Sequence, residues 1–440
     1  MAEHIMKDAE LASMLKGQIS SAAKEYDTLT DAEELHLAEE DIKWWRDAKI
    51  GMFIHWGIYS VVGKGEWSYF NEKMDETEYR KIGETQFKQE KTADEITDEW
   101  MQYAKMFGAN YAVMVTRHHD GYALWDSACS WKDFTTVKLG PGRDYVDAFT
   151  RSCRKYGMKV GLYYSPMDWR FPGYFEYEKY PESAKLMKEQ AYGQIKELAT
   201  KYGPVDIFWY DGGWLAHRGT DADAAWFWEP VKMNKMLRSY QPKVMVTPRS
   251  GYRGDFLCDE GPKAVYGKVI HTPWEKCLSA SAAWGYIPND RYYSFEFLLT
   301  MMINTVCRGG NYLLNVGPKP NGEIPEEEKV LLKQLGEWLR ENGESVYGTR
   351  GGFLEPVDDV YGCTQTKDAL YFHILDCESF QNQRIDFGKY VPENACILNG
   401  EEIPFELDGT TVKFLLPEDV VREKKVDTII KVHGRMTNNL

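Results

Sequence analysis

The stretch VDIFWYDGGW, residues 205–214, ends an apolar and aromatic run in a single carboxylate, Asp211, followed by two glycines. Aspartate is disfavoured in strands and is rarely buried without a partner. One interpretation is a tight turn that begins at Asp211, with Gly212 and Gly213 supplying a permissive backbone. The other is a strand that delivers a carboxylate, a potential nucleophile or proton-transfer group, into a cleft lined by aromatic rings. The rest of the chain favours the second interpretation.

Histidines, carboxylates and tryptophans follow other apolar runs in the same way. The segment TRHHDGYALW, for example, places two adjacent histidines directly after an apolar run. Candidate residues in such positions are His55, Glu66, Trp67, His118, His119, Asp120, Trp125, Tyr163, Tyr164, Asp168, Arg249, Asp255, Asp259, Glu260, Glu275 and Trp284.

The elements that must position these residues are short apolar runs that alternate with amphipathic segments. Strands of continuous apolar character, each followed by a helix, indicate a parallel sheet with both faces covered. Several such units predict a (β/α) barrel, in which the carboxyl ends of the strands carry the chemistry. Only six strands are evident, so we expect either an irregular barrel or two unrecognised strands. The predicted strands are 49–56, 110–116, 159–164, 205–210, 243–247 and 311–316.

The pattern changes near residue 350, where short alternating strands with turn residues between them replace the helical segments. This pattern predicts an antiparallel β-sandwich. We therefore expect an N-terminal helical extension over 1–43, a catalytic barrel over 44–349 and a β-sandwich domain over 350–440.

Composition narrows the range of partners and locations. A formal net charge of −15 argues against nucleic acid or an anionic membrane as a partner. The eight cysteines are scattered without a CxxC pair, which is typical of reduced thiols. The first residues lack the apolar run of a signal peptide, and no window is long and apolar enough to span a bilayer. We expect a cytoplasmic protein, although a secreted protein whose signal peptide had been removed would look the same.

Several chemistries are disfavoured by what surrounds the candidate residues. Adjacent His118 and His119 on an extended strand end point in opposite directions, and further ligands at metal-site spacing are missing from the sequence. We therefore expect no metal cofactor, and interpret these imidazoles as partners of sugar hydroxyl groups. The sequence also lacks a phosphate-binding glycine loop and a G-x-S-x-G nucleophile motif. Carboxylates, histidines and aromatic rings around a cleft are typical of a glycosidase.

Five segments resemble glycoside hydrolase family 29, the retaining α-L-fucosidases. They are GMFIHWGIYS, WMQYAKMFGANYAVMVTRHHDGYALWDS, GLYYSPMDW, VDIFWYDGGW and PWEKCLSASAAWGY, and the resemblance runs from about residue 44 to 320. It implies an irregular (β/α) barrel followed by a β-sandwich, and an exo-acting enzyme that removes terminal fucose from glycans without a cofactor.

The resemblance also implies roles for individual residues. Asp211 matches the catalytic nucleophile. Glu260, in the segment GDFLCDE, matches the acid/base position, and Glu275 in PWE is its rival. Trp284 resembles the aromatic residue that meets the C5 methyl group of fucose. The remaining expected pocket residues are His55, Glu66, Trp67, His118, His119, Trp125, Tyr164, Trp209 and Arg249.

Two alternatives stay open at this point. One is a retaining hydrolase of the same fold for a related sugar, such as an α-L-galactoside. The other is a carbohydrate-binding relative of weak or absent activity, which the presence of Asp211 together with Glu260 and Glu275 disfavours.

Overall fold

The computed structural model describes residues 28–436 and contains an eight-stranded sheet in which every pair of neighbouring strands is parallel. The strand order is β5-β4-β3-β2-β1-β8-β7-β6, so β5 and β6 form the two edges of a curled, barrel-like sheet. Its strands are β1 (Ile50–Ile54), β2 (Tyr111–Arg117), β3 (Lys159–Tyr164), β4 (Ile207–Tyr210), β5 (Met245–Val246), β6 (Leu257–Glu260), β7 (Trp274–Ser279) and β8 (Asn311–Val316). The predicted fold class is confirmed, and β6 and β7 are the two strands that the sequence analysis did not recognise.

Helices cover the outside of this sheet, as expected for parallel strands joined by crossover connections. The helices of this part of the chain, including short ones in the loops, are α1 (Glu39–Ala48), α2 (Ile58–Val62), α3 (Ser68–Asn71), α4 (Glu76–Thr85), α5 (Ala93–Phe107), α6 (Tyr145–Lys155), α7 (Pro172–Phe175), α8 (Pro181–Lys201), α9 (Ala225–Trp228), α10 (Pro230–Tyr240), α11 (Phe295–Cys307) and α12 (Glu326–Asn342).

Helix α5 shows how the sequence sets the helix boundaries. Thr92 accepts a hydrogen bond from the Glu95 backbone amide, while the Glu95 side chain accepts one from the Thr92 amide. This capping box satisfies two amides that lack partners within the helix. The helix ends at Phe107 and is followed by Gly108, whose φ of 93° is accessible mainly to glycine.

Alternating residues of the strands divide the protein interior into two cores. Phe53, Tyr111 and Trp209 face the inside of the barrel and form a cluster with Trp45 of α1, whose ring centroid lies 4.7 Å from that of Phe256. The intervening residues of the same strands pack against the helices outside. Helix α1 therefore contributes to the inner core, and polar residues at the strand ends lie above it.

The segment after α12 forms two antiparallel sheets, one of five strands and one of three. Together they form the predicted β-sandwich, and phenylalanine rings of both sheets pack between them, as in the pair Phe372 and Phe414 with centroids 5.3 Å apart. The strands are β9 (Arg350–Gly351), β10 (Tyr361–Gln365), β11 (Leu370–Ile374), β12 (Ile385–Asp386), β13 (Tyr390–Ile397), β14 (Phe405–Asp408), β15 (Thr411–Phe414) and β16 (Thr428–Met436), with short helices α13 (Cys377–Phe380) and α14 (Glu418–Glu423) between them.

Much of the predicted N-terminal helical extension lies outside the described residues. Its described part holds a single 3₁₀ turn, Glu33–Leu35, before α1 begins at Glu39. Within residues 28–436, no helix is long and apolar enough to cross a membrane. The division into separate domains at residues 44 and 350 stays a prediction.

Candidate active site

A cavity that is open to solvent at its mouth lies at the carboxyl ends of the barrel strands. Ten of the predicted site residues line it: His55, Glu66, Trp67, His118, His119, Trp209, Asp211, Arg249, Glu260 and Trp284.

Asp211 is the first residue after β4, and its carboxylate points into this cavity. The Tyr163 hydroxyl donates a hydrogen bond to Oδ2 at 2.7 Å, and Arg249 Nη2 lies 2.8 Å from Oδ1. Gly212 has a φ of 78°, and a Cβ there would lie 2.3 Å from the Met167 side chain. The glycine therefore lets the chain turn immediately behind the carboxylate, so both interpretations of the DGG sequence hold at once.

Arg249 links two carboxylates of the cavity. Its Nη2 contacts Asp211, and its Nη1 donates a hydrogen bond to Oε2 of Glu260 at 2.5 Å. The Asp211 side chain is only 15% exposed, whereas the Glu260 side chain is 41% exposed. One carboxylate therefore lies deep in the cavity and the other near its mouth, held by the same guanidinium group.

The hydrogen bonds around His55 define its tautomer. The Asn315 amide nitrogen donates to the Trp284 carbonyl at 2.8 Å and to the Ser279 hydroxyl at 3.1 Å, so its Oδ1 faces His55. His55 Nδ1 lies 2.7 Å from that oxygen and must be the donor. Burial lowers the pKa of His55 to about 4, so the ring is neutral. Its Nε2 is then an acceptor, suited to a hydroxyl group of a substrate.

His118 and His119 both line the cavity, although adjacent residues of a strand alternate in direction. Their ring centroids are 4.1 Å apart, because β2 ends at Arg117 and the chain leaves the strand there. Nδ1 of His119 bonds the Ser165 hydroxyl at 2.6 Å, and its Nε2 lies 3.5 Å from Asp211 Oδ2. Burial lowers the pKa of both imidazoles well below the ordinary value. They therefore act as neutral hydrogen-bonding groups.

The side chains of His118, His119 and Asp211 offer ligand atoms within 4.8 Å of one another, which is close enough to hold a metal ion. However, the Arg249 guanidinium lies 2.8 Å from Asp211 and already supplies a positive charge. A cation bound to the same carboxylate would be repelled by it. The geometry thus favours hydroxyl recognition over metal binding.

Glu66 connects the first barrel loop to the wall that carries Trp284. Its Oε2 accepts a hydrogen bond from the Gly285 amide at 2.9 Å, and burial raises the pKa of this carboxyl group. The Trp284 ring lies 5.2 Å from that of His55, which places an apolar surface beside the polar imidazole. The cavity therefore combines an apolar wall with hydrogen-bonding groups.

Three residues expected in the cavity lie elsewhere. Glu275 is buried inside the barrel, where it accepts hydrogen bonds from the Tyr111 hydroxyl at 2.6 Å and the Trp209 indole at 3.0 Å. The Trp125 indole donates to Glu197 of α8 at 3.0 Å. Tyr164 points outward as well, because successive residues of β3 face opposite sides of the sheet. Its hydroxyl bonds Gln194, also on α8, at 2.9 Å.

Four further residues line the cavity without having been assigned to it: Phe53, Tyr163, Trp214 and Cys277. Tyr163 is the most important of them, since it bonds Asp211. Tyr163 and Tyr164 both lie at the end of β3, but only the strand register decides which of them faces inward. Trp214 follows Asp211 by three residues, and its ring lies 5.7 Å from the Arg249 guanidinium.

Two carboxylates joined by one arginine, neutral histidines and an apolar tryptophan at the strand ends of a parallel barrel are typical of a glycoside hydrolase. Comparisons with known proteins identify which kind. The sequence profile described as "Alpha-L-fucosidase" matches residues 14–344. The α-L-fucosidase of Dictyostelium discoideum is 31% identical over 338 residues, covering 70% of this chain and 71% of its own length.

Solved structures agree with this result. α-L-Fucosidase isoenzyme 1 of Paenibacillus thiaminolyticus has a TM-score of 0.77 and 28% identity, covering 90% of this chain and 99% of its own. The α-fucosidase of Thermotoga maritima has a TM-score of 0.71 and 27% identity, covering 91% of this chain and 97% of its own. This chain belongs to the α-L-fucosidase family, glycoside hydrolase family 29.

Proposed function

We propose that this enzyme removes terminal α-linked L-fucose from glycans by double displacement, with Asp211 as nucleophile and Glu260 as acid/base. The observation that carries the proposal is the pair of carboxylates on Arg249, one deep and one near the mouth. A terminal sugar that enters such a cavity presents its anomeric carbon to Asp211 and its leaving oxygen toward Glu260.

In the first step, Asp211 attacks the anomeric carbon and the bond to the leaving oxygen breaks. Glu260, in its protonated form, transfers its proton to that oxygen, so that the leaving group departs as a neutral alcohol. A covalent fucosyl ester of Asp211 results. Tyr163 and Arg249 donate to the Asp211 oxygens and orient the carboxylate for attack.

In the second step, Glu260 takes a proton from water, and the resulting nucleophile attacks the anomeric carbon. The ester bond breaks, fucose leaves with its original anomeric configuration, and Asp211 regains its negative charge. The exposure of Glu260 suits this role, because water and the leaving group both pass the mouth of the cavity.

Fucose is recognised by two kinds of side chain in the cavity, hydrogen-bonding imidazoles and an apolar indole. His55, His118 and His119 are neutral imidazoles that bond hydroxyl groups, and a sugar lacking those hydroxyls would leave buried polar groups unpaired. Trp284 provides an apolar surface for the methyl group of a 6-deoxy sugar. The Thermotoga maritima relative was solved in complex with fucose, which supports a fucose-sized occupant of the corresponding cavity.

A panel of chromogenic glycosides tests the substrate. The α-L-fucoside is expected to give the highest kcat/KM. The α-L-galactoside, which adds a hydroxyl group against Trp284, is expected to be slower by roughly a hundredfold, because an apolar pocket rejects an added hydroxyl only moderately. A higher kcat/KM for the galactoside would contradict the assignment, and fucose binding without turnover would favour a binding protein.

The proposed mechanism uses no metal ion. Prolonged treatment with EDTA is therefore expected to leave kcat and KM unchanged. A reversible loss of activity that a divalent cation restores would assign His118, His119 and Asp211 to a metal site instead.

A cytoplasmic location remains part of the proposal. All eight cysteines are free thiols in the structure, as expected in a reducing compartment. Titration of the enzyme, isolated from its source cells without reductant and then denatured, should find eight thiols. A smaller number, restored by reduction, would favour an oxidising compartment.

A further inference from the structure

An aromatic surface continues outward from the cavity. We define the aromatic shelf as Trp67, Phe70, Trp169, Phe175 and His217. Its rings are in mutual contact: the Phe70 centroid lies 4.5 Å from that of His217 and 6.1 Å from that of Phe175, with the two phenyl planes only 12° apart. The shelf brings together α3, α7 and the loop after β4, which lie far apart in sequence.

The shelf is physically continuous with the catalytic groups. His119 lies 3.5 Å from Asp211, and the Trp67 ring centroid lies 5.6 Å from that of His119. Trp67 in turn contacts Phe70 at 6.1 Å and His217 at 5.3 Å. Trp67 therefore belongs to both the shelf and the cavity, since it contacts Phe70 and His217 and also lines the cavity.

The shelf is accessible and is held in place. Phe70 is 38% exposed, Trp67, Phe175 and His217 are half-buried, and Trp169 is buried among them. His217 has a φ of 52° and follows Ala216 with a φ of 54°, a left-handed conformation that is costly for residues other than glycine. The Ala216 amide donates to the Tyr174 carbonyl at 3.1 Å, which fixes this loop beside α7. A strained loop thus positions an imidazole against the exposed ring of Phe70.

The chemistry of the shelf points to an uncharged ligand with apolar faces. Four of its five members are uncharged aromatic side chains, and burial lowers the pKa of His217, so that its ring is neutral as well. Aromatic faces stack on the C–H faces of pyranose rings. A sulfated or carboxylated sugar would find no countercharge among the shelf residues, and the chain as a whole carries a net charge of −15.

We infer that the aromatic shelf binds the first sugar ring of the leaving group, a neutral pyranose attached to the fucose, and so contributes to the choice of glycan. This inference rests on the proposed function, because the glycosidic oxygen must lie between Asp211 and the mouth. With the fucose ring against Asp211, the next ring of the glycan would lie on the shelf beside Trp67, which lines the cavity.

The test compares two substrates that differ only in their leaving groups. Fucosyl fluoride occupies the cavity but has no leaving-group ring, whereas a fucosyl disaccharide of the linkage that the enzyme cleaves fastest has one. We expect Phe70→Ala to lower the ratio of kcat/KM for the disaccharide to kcat/KM for the fluoride by about fivefold to tenfold, mainly through KM. Phe70→Tyr keeps the ring and should restore the ratio.

Phe353→Ala is the matched control, because Phe353 is a similarly exposed phenylalanine, at 41%, in the C-terminal β-sheet region. It should not change the ratio. An unchanged ratio in Phe70→Ala, whether or not both activities fall, would overturn the role of the shelf alone. Failure of the wild-type enzyme to release fluoride would overturn both the proposed function and the shelf, since no leaving group would then be bound.

Discussion

Two polar clusters arise from the same strand ends of the barrel, yet they differ in how their charges are paired. One is the cavity around Asp211. The other, here called the outer network, lies between β2, β3 and α8 and consists of Arg117, Asp168, Arg170, Gln190 and Tyr164. Asp168 accepts hydrogen bonds from Arg170 at 2.6 and 2.9 Å and from Gln190 at 3.0 Å, and Arg117 lies 2.8 Å away.

The two carboxylates, Asp168 and Asp211, differ in whether they remain accessible to a substrate. Burial by itself would raise the pKa of Asp168, but the guanidinium groups of Arg170 and Arg117 outweigh it and keep the pKa below the ordinary value. Asp168 is fully enclosed, whereas Asp211 keeps a face toward an open cavity. A buried carboxylate surrounded by donors stabilises the fold, and one left facing a cavity is available for chemistry. Residue type alone does not distinguish them.

The largest expected effect is on the cavity side of this comparison. Asp211→Gly removes the nucleophile and should lower kcat by about ten-thousand-fold or more, while the free energy of unfolding changes little. Azide fits the vacated space and should restore turnover of an activated fucoside, giving a fucosyl azide of inverted configuration. Near-wild-type activity in this variant would contradict the assignment.

The next largest effect separates Glu260 from Glu275. Glu260→Ala should lose about one hundred- to ten-thousand-fold on an oligosaccharide, whose leaving group needs a proton, and much less on an activated aryl fucoside. Azide should rescue it with retained configuration. Glu275→Ala, which removes the hydrogen-bond partner of Trp209, should lose similar factors on both substrates without rescue. The opposite pairing would move the acid/base role to Glu275.

Glu260 and Glu275 lie on β6 and β7, the two strands that the sequence pattern did not predict. The six recognised strands are continuous apolar runs, but β6 and β7 contain charged residues and were missed. The charges are tolerated in the sheet because they are paired. On the outer face Lys276 bonds Asp259 at 2.6 Å, and on the inner face Glu275 bonds Tyr111 and Trp209. No local pattern reveals such partners.

The cavity was largely predictable because parallel strands bring all of their carboxyl ends to one face. Family resemblance then assigned most of its residues. The resemblance assigned Tyr164 to the pocket, but this was wrong because the direction of the side chain matters. Tyr163 faces Asp211, and Tyr164 belongs to the outer network. Since adjacent tyrosines are chemically identical, only the register of β3 and the packing of α8 separate their roles.

A third prediction concerns the outer network. Asp168→Ala leaves Arg117 and Arg170 buried without their carboxylate, and should lower the free energy of unfolding by about 3–5 kcal/mol. The kcat of the folded fraction should stay within a few-fold. The exposed pair of Asp147 and Arg151 provides the control, and Asp147→Ala should cost under about 1 kcal/mol. Urea unfolding measures both. A large loss of kcat in Asp168→Ala at unchanged stability would place the outer network in the active site.

The smallest effect is pH-dependent and concerns Glu275, which lies beneath the cavity. Burial raises its pKa from 4.5 to about 7, against the hydrogen bonds from Tyr111 and Trp209. The folded protein therefore binds this proton more tightly than the unfolded chain. The resulting stability is fully present below pH 4.5 and is lost as the pH rises through about 7.

The glutamine of the Glu275→Gln variant cannot ionise, so this variant should not lose that stability as the pH rises. Its free energy of unfolding, relative to the wild type, is expected to increase from pH 4.5 to pH 8 by up to about 3 kcal/mol. Urea unfolding at both pH values measures the difference, and the contributions of the histidines cancel because both proteins share them. A difference that stays constant with pH would contradict the burial argument.

Covalent trapping tests the central claim most directly, namely that Asp211 bonds the sugar. The enzyme would be incubated with a 2-deoxy-2-fluoro fucosyl fluoride, whose good leaving group lets the first step proceed while its fluorine slows the second. Digestion and mass spectrometry should then find one fucosyl label, on Asp211 in the peptide containing VDIFWYDGGW. A label on Glu260, or rapid inactivation with the label on any residue other than Asp211, would contradict the account.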